Sequence, residues 1–401
     1  MNLIIVLFTL NGTLSLSLEQ AKKLAFENSP HYVEAQARLE KSKINFFENT
    51  SYLLPTPSAS ASYTKSKTDD IETKTYSGTL NISQPVFDLP LFTQIKASHY
   101  QYQADRLLYQ KDLQDLILKV EVAYLNLIRS GELLNSAELT VKRTKENERL
   151  TAEKYKLGAA SKLDKLQAEV FSLQAERDLS QARKSFLEAK EGLRVYLQTE
   201  EEIIPTDSLN VSPECLLPSF DSLVKIIEDV NLGLKVVKEA KNVAHLNMLT
   251  SYFKFVPKVS LFFRYGYTDD RLPDDIDAFK ENDSRSYGIN LDLPLFNLKD
   301  LYFSNQEARA NYKYQKYLFL RTFTETKQAL VTNYLALNEV KDRVKLAQKS
   351  LELAEEAADI ALERYRLGAA SIIDLLTSEE NFYKARVNYV STLADYRIEQ
   401  I

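Results

Sequence analysis

Two aspartates, Asp164 and Asp374, hold the same place in two copies of one phrase: Leu157-Gly158-Ala159-Ala160-Ser161-Lys162-Leu163-Asp164 and Leu367-Gly368-Ala369-Ala370-Ser371-Ile372-Ile373-Asp374. A carboxylate three residues after a serine suits a capping box, in which each side chain accepts a backbone N–H at the start of a helix. A carboxylate also attracts cations. Like charges brought close by symmetry raise one another's pKa and favour a shared cation. Other chemistry is sparse: His31, His99 and His245 are scattered, Cys215 is the single cysteine, and neither a Gly-rich phosphate loop nor a nucleophile motif occurs. No catalytic residue, cofactor or metal site is expected, and the chain reads as a non-enzyme.

Each phrase follows one long helical pattern and precedes another. Gly158 and Gly368 can enter the left-handed conformation just beyond a helix end, and Lys156 and Arg366 place cations in the preceding turn, where the helix dipole favours them. Ser161 and Ser371 then start the next helix. Tyr155 and Tyr365 precede the two glycines by the same step, so the phrases read as the tips of two helical hairpins.

Only 9 glycines and 11 prolines in 401 residues argue for long helices over several loop-rich domains. The net charge of -5, with acids and bases interspersed, argues against a nucleic-acid surface. The apolar run Leu3 to Leu10, followed by Ser15-Leu16-Ser17, predicts a signal peptide at 1–17, cut near Ser17. A lone cysteine excludes an intramolecular disulfide, and none stands at the cut to carry a lipid. No apolar run reaches about 18 residues, so no membrane-spanning helix is predicted.

The chain divides into a first repeat at 18–200, a linker at 201–218 and a second repeat at 219–401. In the first, two helices lead to a β-hairpin at 55–86 and a long helical hairpin at 91–198. Thr56, Ser58, Ser60 and Ser62 alternate with Pro57, Ala59, Ala61 and Tyr63, and Tyr76, Gly78, Leu80 and Ile82 alternate with Ser77, Thr79, Asn81 and Ser83. A charged loop, Lys65 to Lys74, is expected between them, and Pro85 and Pro90 are expected to close the second strand. The linker, with Pro205, Pro213 and Pro218, reads as irregular. In the second repeat, helices to about Phe253 precede a hairpin at 257–294 and a helical hairpin at 298–401. Phe262 is an apolar exception on a polar side, an acidic loop runs from Asp269 through Asp274, Asp275 and Asp277 to Asp283, and Asn297 is the expected cap of the last long helix. Pro294-Leu295-Phe296 echoes Pro85-Val86-Phe87.

Strands of about 9 to 11 residues with apolar faces ending in Tyr63, Tyr76, Tyr265, Tyr267 and Tyr287 fit a tilted passage through a bilayer. Helices of about 100 Å are too long to cover a compact four-stranded sheet. Four strands cannot stand alone in lipid, because open edges strand their backbone groups, so the chain must oligomerise. Two copies give about eight strands and a filled interior, whereas three give about twelve and room for water. Ser58, Ser60, Thr79, Asn81, Ser260, Arg264, Asn290 and Asp292 are the expected lumen-facing residues. The fold class is therefore mainly α with β: long antiparallel helical hairpins forming an α-barrel, and four strands per protomer contributing to a trimeric twelve-stranded transmembrane β-barrel. Ala354, Ala357, Ala358 and Ala361 offer small side chains for close helix approach.

The Tyr-x-x-Gly-x-x-Ser-x-x-Asp tips, the duplicated order of elements and the Pro-bounded strands together resemble the TolC family of bacterial outer-membrane efflux proteins, from about Leu18 to the end. The resemblance implies a homotrimer in outer-membrane lipid, a passive exit duct crossing outer membrane and periplasm. It implies that the tips dock a periplasmic adaptor (membrane fusion) protein and an inner-membrane pump of RND, ABC or MFS type. It further implies a periplasmic constriction at Asp374, with Tyr365 and Asp164 in the closing network, and adaptor contacts at Leu157, Gly158, Leu367 and Gly368. Where the family has a second aspartate ring this chain has Thr377, and Ala370 replaces a basic partner. The competing readings are a soluble coiled-coil structural protein, which leaves the alternating strands unexplained, and the periplasmic adaptor itself, which needs one hairpin rather than two. The cargo is not legible.

Overall fold

A computed structural model describes residues 13–68, 71–209, 218–271, 283–293 and 298–401. Cys215, Leu3 to Leu10, Asp274, Asp275, Asp277, Pro294-Leu295-Phe296 and Asn297 lie outside the described residues. The elements are β1 (Thr13–Leu16), α1 (Leu18–Asn28), α2 (Pro30–Ser51), β2 (Thr56–Thr68), β3 (Ile71–Phe87), α3 (Leu89–Lys156), α4 (Lys162–Leu197), β4 (Glu202–Pro205), α5 (Phe220–Val230), α6 (Leu232–Phe253), β5 (Lys258–Asp269), β6 (Asp283–Asp292), α7 (Leu298–Arg366) and α8 (Ile372–Glu399). By contacts they form two units, and each takes matching pieces from both sequence repeats. The helical unit holds the described parts of 1–33, 112–225 and 327–401; the sheet unit holds those of 34–111 and 226–326.

In the helical unit, β1 pairs parallel with β4, joining Thr13 to Glu202 and Leu16 to Pro205. Residues 202–205 of the expected irregular linker are thus a strand. Ser17 caps α1 by accepting from the Gln20 N–H, and Gln20 returns the bond to the Ser17 N–H. Leu16 of β1 is buried in a core that contains Ala21, Val120, Leu127, Leu193, Leu197 and Ile203. Local spacing gave no warning, because four residues are too few for a period and their partner lies far along the chain.

Tyr124 of α3 ties this junction together. Its hydroxyl lies 2.8 Å from the Leu16 carbonyl and 2.9 Å from Asp207 Oδ2, while the Leu18 N–H donates to the same carboxylate at 2.8 Å. Burial, reinforced by Asp207, pushes the phenol from 10.0 up to about 12. A folded-state pKa above the unfolded one means that the neutral phenol stabilises fully below about pH 10, and that this contribution fades as pH rises through about 12. Tyr124→Phe should cost about 1 kcal/mol at neutral pH. In melts followed by circular dichroism, the gap between wild type and variant should close between about pH 10 and 12.

In the sheet unit, four strands form one antiparallel sheet in the order β2-β3-β5-β6, and the β3–β5 pair joins the two repeats. Directly opposed residues share a face. The registers align Ser58 with Asn81 and Arg264, Ser60 with Thr79, Ser260 with Asn290, and Lys258 with Asp292. All eight expected polar residues therefore lie on one face. The other face carries Ala59, Leu80, Ile82, Leu261, Phe263, Ile289 and Leu291, most of them exposed. Phe262 stands on the polar side because Gly288 is opposite it: the ring lies 3.1 Å from where a Gly288 Cβ would sit and fills that space.

Three expectations are corrected here. The strands are 13, 17, 12 and 10 residues long, and the charged segment is not a loop, since Lys65 pairs with Lys74 and Lys67 with Glu72. Alternation continues through it in Thr64, Ser66, Thr73 and Thr75, so the period of two persists although polarity changes. Pro85 does not end β3, which bulges between Pro85 and Phe87; a bulge tolerates the missing N–H. The outer edges of β2 and β6 have no strand partner among the described residues.

Candidate functional site

Both hairpin tips are built by local hydrogen bonds. Gly158 and Gly368 have φ of 74° and 76°, the left-handed region a side chain resists. The Ala159 N–H donates to the Lys154 carbonyl and the Ala369 N–H to the Arg364 carbonyl, each at 2.8 Å, closing the ends of α3 and α7. Asp164 accepts from the Ser161 N–H at 2.8 Å, and the Asp164 N–H donates to Ser161 Oγ at 3.1 Å. Asp374 repeats this on Ser371 at 3.1 and 3.2 Å and also accepts from the Ser371 hydroxyl at 2.8 Å. That hydroxyl and then the backbone N–H hold the Asp374 carboxyl below its usual range. Leu157 and Leu367, 83% and 82% exposed, cap the tips with unpartnered apolar surface.

The two hairpins meet through α4 and α8. Leu163, Leu166 and Val170 face Ile373, Leu376 and Thr377 across a groove of about 480 Å³. Beside it Ala168, Ala361, Tyr365, Ile372 and Leu375 form a small core. Tyr365 is buried, whereas its repeat partner Tyr155 is 40% exposed, so the duplicated tyrosines have diverged in role. Among the described residues Tyr365 and Asp164 are not hydrogen-bonded to each other: the phenol donates to Thr151 Oγ1 at 3.0 Å. Asp164 acts on it only by charge, adding to the burial that raises the phenol's pKa. Lys154 Nζ lies 4.2 Å from the Tyr365 ring centre and donates to the Tyr365 carbonyl. Of the four alanines, Ala358 and Ala361 are buried while Ala357 is exposed.

One buried group was missed in the sequence. Glu379, 2% exposed, accepts from Arg143 Nε at 2.9 Å and from Nη2 at 3.0 Å, with Asn147 Nδ2 at 3.5 Å; Arg143 also reaches Asp359 at 3.1 Å. The signal was available. Glu379 interrupts the helical stripe Ile372, Leu375 and Phe382 of α8, all buried, and an acid on an apolar stripe needs a buried partner.

Among the described residues no helix is long and apolar enough to cross a membrane, and no cluster of His, Cys, Asp or Glu could hold a metal ion. The sheet presents one polar and one apolar face, and the hairpin tips present exposed leucines. The TolC outer membrane protein of Vibrio cholerae is 22% identical, aligned over 96% of this chain and 90% of that protein. The alkaline protease secretion protein AprF of Pseudomonas aeruginosa is 21% identical, over 95% and 82%. Among solved structures, the outer membrane protein VceC of Vibrio cholerae superposes with a TM-score of 0.83 at 18% identity, covering 96% of this chain and 94% of that one. The open-state MtrE outer membrane channel of Neisseria gonorrhoeae gives 0.81 at 18% identity, over 95% and 88%. Residues 22–198 and 254–401 match the family described as outer membrane efflux protein, so the chain belongs to that family and is an outer-membrane exit duct for efflux or type I secretion, extending into the periplasm.

Proposed function

We propose that three copies of this chain close their sheets into one barrel and their helical hairpins into one tunnel, forming a passive conduit opened at its tips by a periplasmic adaptor and an inner-membrane pump. The single observation carrying this reading is the sheet: one face largely of apolar side chains, one of hydroxyls and amides with the charged Lys258, Arg264 and Asp292, and two outer edges with no strand partner among the described residues. In hydrocarbon an unpaired edge costs several kcal/mol per backbone group, and joining neighbours removes it. Ser58, Ser60, Thr79, Asn81, Ser260, Arg264, Asn290 and Asp292 then line the water-filled lumen. Native mass spectrometry of detergent-solubilised protein should show three copies; a stable single copy without detergent would sink the reading.

Asp374 serves in this reading as cap and as gate. Threefold symmetry at the tips brings its carboxylates together, where they attract cations. The cap opposes mutual repulsion by stabilising the ionised form, present above the ordinary carboxylate pKa and lost only as pH falls through the lowered one. Single-channel recordings in planar bilayers should therefore show a cation preference at neutral pH that disappears in Asp374→Asn. Unchanged selectivity in a folded variant removes the gating role and leaves the cap. Leu157, Gly158, Leu367 and Gly368 are the proposed adaptor contacts, and Thr377 and Tyr365 lie beside the proposed constriction.

A further inference from the structure

Setting Gly158 against Gly368 gives each residue of the tip halves of α3 and α4 a counterpart in α7 and α8. Within the chain, α3 is fastened to the second hairpin at three levels. Arg143 holds the buried Glu379 and reaches Asp359, Thr151 accepts from the Tyr365 hydroxyl, and Lys154 donates to the Tyr365 carbonyl at the end of α7. The last contact gives the dipole of α7 a cation from the neighbouring hairpin. The counterparts reproduce none of this. Leu353 stands for Arg143 and Ala361 for Thr151, while Tyr155 is 40% exposed where Tyr365 is buried. Arg364, the counterpart of Lys154, donates at 3.3 Å to Ala369 of its own tip, and Glu169, the counterpart of Glu379, is exposed.

In a closed ring of duplicated hairpins the seam that α3 makes with α8 inside a chain has a second version, where α7 of one copy meets α4 of the next. At that outer seam Leu353, 56% exposed, faces Glu169 of the next copy: an apolar side chain and a lone carboxylate replace a buried ion pair. Separating the inner seam leaves Glu379, Thr151 and Tyr365 without their partners, whereas separating the outer one strands no such group. We propose that the two tips of one chain travel as one piece and that the conduit opens by parting the seams between copies, each subunit turning as a rigid body about its interfaces. This rests on the trimeric conduit reading and names the seam at which it gates.

The test compares two cross-links in the full-length protein with Cys215→Ser as background, each closed by a short bis-maleimide. L166C/I373C bridges the groove between α4 and α8 inside a chain, and E169C/L353C spans the seam between copies. All four side chains are exposed in the single chain, so none of these substitutions empties a core. On denaturing gels the first product should run as single chains and the second as linked copies. Each channel is recorded in planar bilayers before and after the reagent. The open fraction should be unchanged by the inner cross-link and fall on the order of 10-fold or more with the outer one. Openings lost with the inner cross-link, openings undiminished with the outer one, or an E169C/L353C product confined to single chains each overturn the proposal. A wild type that forms no trimer or conducts no ions defeats the conduit itself, whereas a conducting trimer silenced by the inner cross-link defeats only the shared motion of the tips.

Discussion

Replacing Arg143 with methionine should destabilise the helical unit by about 3–5 kcal/mol, because Glu379 is left buried without its partner. Glu379 is 2% exposed and its carboxylate accepts from Arg143 through both Nε and Nη2, a fork that no neighbouring group can replace. Asn147, at 3.5 Å, offers only a weak dipole. The guanidinium also lies 5.2 Å from the Phe382 ring centre, so packing is lost with the charge. The double variant R143M/E379M tests the cause: with both charges gone, stability should return to within about 1 kcal/mol of wild type. Asp359, whose side chain is 62% exposed, should matter little, with Asp359→Ala costing about 0.5 kcal/mol. Thermal melts of the detergent-solubilised protein, followed by circular dichroism, read all three; a double variant as weak as R143M would show that packing rather than the buried charge holds α3 to α8.

Ile289→Arg should prevent assembly in the membrane while Asn290→Arg, one residue along β6, should not. Ile289 is 71% exposed on the apolar face, opposite Leu261, and an arginine on the lipid side of a barrel costs about 2–4 kcal/mol near the bilayer midplane. In the proposed trimer that cost would arise once per subunit. Asn290 lies opposite Ser260 on the polar face, where an added guanidinium meets water. The expected result is loss of Ile289→Arg from the outer-membrane fraction, against normal recovery of Asn290→Arg with conductance shifted toward anions. Equal recovery of both would show that the apolar face does not meet lipid.

The sequence by itself determined whatever depends on neighbours a few residues away. Ser161 with Asp164 and Ser371 with Asp374 form the capping boxes their spacing demands, and Gly158 and Gly368 take the left-handed turn, because these bonds span three to five residues. Strand faces were equally legible, since a period of two puts Ser58 and Ser60, or Asn290 and Asp292, on one side whatever the partner strand. Loop limits were not: the charges between Lys65 and Lys74 suggested solvent, yet pairing across the sheet overrides polarity.

Tertiary structure alone decided which distant groups meet. Thr13 joins Glu202, β3 chooses β5, Tyr365 donates to Thr151 rather than to Asp164, and Glu379 finds Arg143 across 236 residues. Nothing in local spacing selects such partners. Each is settled by the burial that becomes available once helices and strands have packed, when a buried hydroxyl or carboxylate must take the donor or acceptor the fold has placed beside it.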